Sequence, residues 1–457
     1  MNMTRTEILP GIFLNYLHSD KFKFADLSIY LLTQLSRDTA SSNALIPMVL
    51  RRGTVKYPDL EALCNRLDEL YGASVDPVIR KIGEIQLIGL STSYAEAKYL
   101  PQAESITKNV ISLLGEMLLN PITRGGLLLP AYVESEKEKL ADIIRSRINN
   151  KSAYAIHRCI EEMFCYEDYS VNRLGSEDDC LSINYKKLSK HYREVLSTSP
   201  VEIFYCGQDE EKFIARCLKN ALCTMPRGEI DYSIGTDVRL NAVEETPRFC
   251  EEELDVSQGK IVIGFRLGDT MEEPDKPAIS MFNSIYGAGI TSKLFTNVRE
   301  RLQLCYFAQS SVDVHKGYLI VCSGIDCDKF EAVRDEIFHQ IAEMADGNIT
   351  DEEMTLARRG IKSDLSSMQD SPMAMQNFYL GNILDGQDVT PDEYSQLIDM
   401  VTKEDLIGIA RNLEPDMIYF LRGGSGDSEE DTDEEFAGQF PGAAEDSSNE
   451  LSAEDEE

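Results

Sequence analysis

Residues 287–311 read GAGITSKLFTNVRERLQLCYFAQSS. Gly287, Ala288 and Gly289 make a tight turn, and neither a Lys-Ser/Thr pair nor a third glycine follows in the frame of a phosphate cradle or dinucleotide fingerprint. Leu294, Phe295, Val298 and Leu302 then recur at the spacing of one apolar helix face, which predicts a helix over 292–302. A strand precedes this block (KIVIGF, 260–265) and another follows it over 318–322. An amphipathic helix comes next, on Phe330, Val333, Ile337, Ile341 and Met344, and then a polar-rich helix over 351–367. The capping box Thr350-x-x-Glu353 opens that last helix, and two more helix starts stand at Thr390-Pro391 and Thr402.

The first half of the chain repeats this order. Strands over 12–16 and 25–32, joined by the polar turn Ser19-Asp20-Lys21, precede a helix over 59–71 with apolar Leu60, Leu63, Leu67 and Leu70. A strand over 84–90, an amphipathic helix on Ile106, Val110, Leu113, Leu114, Met117 and Leu118, and a polar helix over 134–149 complete it. Short turns between paired strands favour antiparallel sheets over one large parallel α/β sheet. The expected fold is α+β, with two homologous domains, each an antiparallel-rich sheet with helices packed on one face, facing each other across a cavity. The expected boundaries are 1–225 and 258–423, a Gly-, Pro- and charge-rich linker over 226–257, and a disordered tail over 424–457.

Composition narrows the function classes. The 457 residues are 42% apolar, enough for more than one core. The net charge is −34, and the tail over 424–457 contributes fourteen Asp and Glu without a Lys or Arg. Nucleic acid and anionic membrane demand basic patches, so neither is an expected partner. The eleven cysteines are odd in number and contain no C-x-x-C pair, a usage that points to reduced thiols in the cytoplasm. The N-terminal MNMTRTEILPGIF does not read as a signal peptide, and no apolar run approaches the ~20 residues of a membrane span.

Four segments carry a resemblance to a known family: SSNALIPMVLRRGT (41–54), DLEALCNRLDELYGASVD (59–76), VESEKEKLADIIRSRINNK (133–151) and the block over 287–311. Together they resemble the pitrilysin/insulinase metallopeptidases in their two-domain, mitochondrial-processing-peptidase-like form. The resemblance implies a zinc helix of the inverted H-x-x-E-H pattern, in which two His hold the ion and the Glu activates a water. Framed by Arg51-Arg52-Gly53-Thr54, the corresponding positions here are Ala44, Pro47 and Met48. Alanine and proline have no donor and methionine only a soft thioether, so no catalytic zinc is expected and no cofactor is called for.

In active relatives the third zinc ligand is a Glu on the helix matching 134–149. Glu134, Glu136, Glu138 and Asp142 are all present there, and with the other ligands gone they read as a solvated face on which Glu138 and Arg145 approach across two turns. The block over 287–311 keeps what the family shows: Gly287, Gly289, Ser292, Leu294, Phe295, Arg299, Glu300 and Tyr306. The resemblance makes Arg299 and Tyr306 substrate contacts, Arg through its planar fork of donors and Tyr through a hydroxyl that reaches a peptide oxygen. The bland alternative is a surface Arg at a helix end and a strand Tyr capping a core. His157, with Glu161 and Glu162 one turn away, reads as a structural histidine.

The resulting expectation is a proteolytically inactive subunit, not itself an enzyme. It pairs with a zinc-bearing family paralogue, as a heterodimer or else a homodimer, and contributes contacts to a peptide or unfolded protein segment. The alternative is a non-enzymatic scaffold or regulator, of the kind that resemblance links to peptide maturation or elongation-factor modification.

Overall fold

The computed structural model describes residues 3–101, 106–268 and 275–423. The expected acidic tail lies outside them. The first half runs β1 (Thr4–Leu9), β2 (Ile12–His18), β3 (Phe24–Gln34), α1 (Ala40–Leu50), α2 (Leu60–Glu69), β4 (Asp76–Ile82), β5 (Ile85–Ala95) and α3 (Ile106–Leu119). The short pair β6 (Thr123–Arg124) and β7 (Leu127–Leu128) leads to α4 (Pro130–Ser146), α5 (Lys151–Met163), α6 (Glu177–Ser182), α7 (Tyr185–Thr198), β8 (Val201–Gly207) and α8 (Glu211–Leu222). The second half runs β9 (Arg248–Leu254), β10 (Gly259–Arg266), α9 (Lys276–Tyr286), a π-helical segment Leu294–Arg301, β11 (Phe307–Asp313) and β12 (Tyr318–Ile325). It ends with α10 (Phe330–Ala345), α11 (Asp351–Met368), α12 (Pro372–Leu384), α13 (Pro391–Met400), α14 (Lys403–Asn412) and β13 (Glu414–Gly423).

The duplication is one of topology. The first sheet has the order β1-β2-β8-β3-β5-β4 and the second β11-β12-β10-β13-β9. Read in reverse, the second matches the first from β2 onward, strand for strand and polarity for polarity. β2 runs parallel to β8 as β9 does to β13, and the remaining pairs are antiparallel in both. All three predicted helix starts with Thr caps, at 350, 390 and 402, close reciprocal capping boxes.

Two expectations change. β2 and β3, read as a pair joined by a tight turn, are not neighbours, because β8 lies between them. Every residue of β8 is buried, so the strand needs partners on both edges and cover on both faces, and residues 19–23 only have to span about 10 Å to make room for it. Part of the expected 226–257 linker is also sheet, since β9 pairs with β13 from Met417↔Arg248 to Gly423↔Leu254. The rest of that connector is tied down. Its Asp237 carbonyl accepts from Lys316 Nζ at 2.5 Å and its Arg239 carbonyl from Arg266 Nη1 at 2.9 Å.

Each half also lends a helix to the other. The N-terminal sheet packs α1, α3, α7 and α8 on one face, and the C-terminal sheet packs α9, α10, α11 and α14 on the equivalent one. The opposite face of the C-terminal sheet is covered by α5, whose Ile156, Cys159, Ile160 and Met163 bury against Val262, Ile320, Cys322 and Tyr419. The opposite face of the N-terminal sheet takes α12, through Met375, Tyr379 and Leu380 against Tyr30, Leu87 and Phe204. Fully burying a residue such as Ile156 or Met163 contributes about 1.5–3 kcal/mol, so the exchange binds the halves as strongly as a core does.

Between the two sheets lies a buried ion network drawn from both halves. Arg266 pairs with Glu167 at 2.7 Å and Asp416 at 2.9 Å, and Lys316 pairs with Glu84 and Glu167, each at 2.6 Å. Asp416 also holds Arg248 at 2.8 Å, and Asp313 accepts from the Tyr169 hydroxyl at 2.6 Å. Charges taken this far from water are tolerated only when paired, so the network fixes one relative placement of the halves.

Candidate functional site

α1 is a helix with no polar face. Ten of its eleven residues are buried, Ala44 at 0% exposure and Met48 at 5%. Its cap residue Thr39 makes no side-chain cap bond, and Pro47 sits inside it without a backbone donor. Packing against α4, α6, α7, β4 and β5 holds the helix instead. The positions of the zinc frame therefore face a filled core rather than an open coordination site.

The polar groups beside these positions already have partners. Asn43 Nδ2 donates to Gln86 Oε1 at 2.8 Å and to Thr33 Oγ1 at 3.1 Å, which leaves its Oδ1 to accept from His191 Nε2 at 2.6 Å. Gln86 in turn donates to the carbonyls of Ala40 and Arg173, at 3.0 and 2.6 Å. Burial holds the His191 imidazole below its ordinary range, so it is neutral and its donor proton is committed to Asn43. Sequence reading missed Asn43, Gln86 and His191, because nothing in their spacing across three elements announces that they meet.

The acidic face of α4 is similarly engaged. Glu136 is buried and lies 3.4 Å from Arg52, while Glu134 pairs with Lys137 at 2.6 Å. The anticipated Glu138–Arg145 approach does not form. Seven residues separate the two by about 10 Å of rise, and Arg145 reaches Asp142 one turn away at 2.5 Å and Glu177 at 2.8 Å instead. No group of three or more His, Cys, Asp and Glu among the described residues could hold a metal ion. The donor set does not fit the zinc that the family pattern implies.

Arg299 and Tyr306 occupy the junction between the π-helical segment and β11. Leu294 and Val298, both at 0% exposure, anchor the segment, and the i+5 bond from Leu302 N to the Asn297 carbonyl at 3.0 Å sets its wide turn. Arg299 points to solvent with its guanidinium 4.8 Å over the Phe295 ring. Tyr306 is 54% exposed, so it does not cap a core. Its hydroxyl donates to Asp326 Oδ1 at 2.8 Å, and that bond pushes the phenol up, keeping it a neutral donor. Lys329 holds the Asp326 carboxyl below its ordinary range from the other side, at 2.8 Å.

A family model described as the peptidase M16 inactive domain matches residues 182–361. The "Probable inactive metalloprotease YmfF" of Bacillus subtilis (strain 168) is 29% identical over 419 residues, covering 92% of this chain and 97% of that protein. An "Uncharacterized zinc protease YmxG" from the same organism is 24% identical over 247 residues, 52% of this chain and 58% of its own length. In structure the chain is similar to a conserved protein from Enterococcus faecalis V583, with a TM-score of 0.83, 25% identity and coverage of 94% of this chain and 100% of that one. No helix among the described residues is long and apolar enough to cross a membrane.

Proposed function

This chain belongs to the M16 peptidase family as a two-domain member without the zinc ligands, and from that premise we propose that it is the non-catalytic half of a peptide-processing chamber. A zinc-bearing relative supplies the other half. One observation carries the reading: the helix that should hold metal is packed shut around Ala44 and Met48, while Arg299 and Tyr306 stay at the surface on a well-anchored segment. A chain kept only as a scaffold has no need of either exposed group. In this division of labour Arg299 fixes substrate carbonyls or a carboxylate, and the Tyr306 hydroxyl exchanges its bond to Asp326 for one donated to a peptide oxygen near the cleaved bond. The complex acts in the cytoplasm on a peptide or an unfolded segment.

Co-expression with a zinc-bearing M16 protein from the same genome tests this. Native mass spectrometry should find one copy of each chain with a single zinc, and the pair should cleave a peptide library that this chain alone leaves intact. A chain that never associates with a zinc-bearing relative contradicts the reading, as does a stable complex without peptidase activity, which marks a scaffold.

A further inference from the structure

The two sheets match strand for strand except at one edge. β2 and β9 hold equivalent places, each parallel to the strand beside it. β2 is covered on its other side by the antiparallel β1, whereas among the described residues no strand lies beyond β9. β9 therefore ends its sheet with seven residues, about 23 Å of strand, on which alternate N–H and C=O groups turn outward without a ladder partner. This edge is the far one from β11 and Tyr306, four strands away, or about 19 Å across the sheet.

The side chains along this edge select what can pair there. Phe249, Glu251 and Glu253 alternate on one face of the strand, and all three are exposed, Phe249 at 54%. The Phe249 ring meets Phe330 of α10 edge-on with centroids 5.8 Å apart, which seats it without covering it. Glu251 reaches Arg422 at 3.4 Å, a pair in which both side chains are exposed, and Glu253 has no ion-pair partner among the described residues. In the other half, β1 brings a cation to the strand it covers: the Arg5 guanidinium lies 3.8 Å over the Phe13 ring of β2 and pairs with Glu202 of β8 at 2.7 Å. β9 offers the same two receptors, an aromatic ring and carboxylates. A second copy of β9, paired antiparallel in full register, sets Glu251 against Glu251 and Phe249 against Glu253, and like charges directly opposite are destabilising. The 424–457 segment, which follows β13 in the chain, has fourteen acidic residues and no Lys or Arg, so it does not supply the charge either.

We propose that the open edge of β9 docks an extended, Lys/Arg-bearing segment of another protein, added to the sheet as an antiparallel strand. Main-chain hydrogen bonds to β9 supply the affinity, and cations over Phe249 and beside Glu251 and Glu253 select the sequence. The edge is independent of α1 and of the Arg299–Tyr306 region.

Fluorescence anisotropy of the full chain with a labelled Thr-Arg-Val-Lys-Val-Arg-Thr peptide tests the proposal. Saturable binding of one peptide per chain is expected, weakening as salt is added, with no binding of the counterpart that carries Glu at the three charged positions. Alternate amides of a strand point the same way, so two N-methylated peptides separate strand addition from charge attraction alone. With one methylated at its charged residues and the other at the residues between them, one should lose binding and the other keep it. Glu251→Lys combined with Glu253→Lys should weaken binding about tenfold or more, with melting curves to confirm folding. The exposed Glu61→Lys on α2 is the control that leaves binding unchanged. No binding up to about 1 mM overturns the proposal. So do equal binding of the acidic peptide, equal effects of the two methylation patterns, or undiminished affinity in the folded double variant.

Discussion

The Arg52 guanidinium stands 3.4 Å from the carboxylate of Glu136, so the buried glutamate of α4 is answered by a cation from the end of α1 rather than by a metal. Restoring ligands on α1 alone should therefore do little. The variant Ala44→His, Pro47→Glu, Met48→His places imidazoles in a core where Ala44 has 0% exposure, and overpacking of that kind costs about 1–3 kcal/mol. Calorimetry and a zinc titration should show a lowered melting temperature with at most weak metal binding, since no outer partners orient the new rings. Tight stoichiometric zinc and efficient hydrolysis by the triple variant would show the rest of the site to be intact.

The exchange of α5 and α12 rests on close contacts at identifiable points. A side chain at Gly264 would place its Cβ 2.5 Å from the Met163 sulfur, so the glycine on β10 is the seat of α5. Gly264→Val should destabilise the chain by about 1–3 kcal/mol, read as a shift in the denaturant midpoint. A neutral outcome would mean that α5 is not pressed against this strand.

Acid should loosen the same contact. Burial raises the Glu252 carboxyl, but hydrogen bonds from Tyr419, Tyr154 and Arg158 outweigh it and leave it below its ordinary range. A carboxyl depressed in the folded state stabilises above its unfolded pKa, and that contribution disappears as pH falls through the folded value. The stability difference between wild type and Glu252→Gln should be on the order of 1 kcal/mol at neutral pH and shrink below the ordinary carboxylate range. A difference that stays constant down to pH about 3 contradicts the assignment.

In a complex with a zinc-bearing relative, Arg299→Ala and Tyr306→Phe should each leave folding and assembly intact while lowering turnover. Loss of a charge-assisted hydrogen bond to substrate costs about 1.5–3 kcal/mol, or roughly ten- to a hundredfold in rate. Unchanged kinetics in an active complex would remove both residues from the site. A drop in melting temperature instead would assign them to structure.

Much of this fold was legible because apolar periodicity and caps are local signals. The stripes on α3 and α10 and the Thr caps of α11, α13 and α14 stand in the sequence as they stand in the structure. The insertion of β8 between β2 and β3 was not, since a turn with strands on both sides reads the same whether or not a third strand comes between them. Nor was the exchange, because an amphipathic stripe on α5 states only that one face is buried and not which half buries it. At the site, the absence of donors at Ala44, Pro47 and Met48 could be read directly. The replacements, Arg52 on Glu136 and His191 on Asn43, depend on contacts between separate helices.

Metal content of the purified chain after dialysis, measured by mass spectrometry, tests the central claim most directly. The packed α1 and the engaged carboxylates of α4 predict zinc far below stoichiometry and no peptide cleavage by the chain alone. About one zinc per chain, lost together with a peptidase activity when chelator is added, would contradict the account.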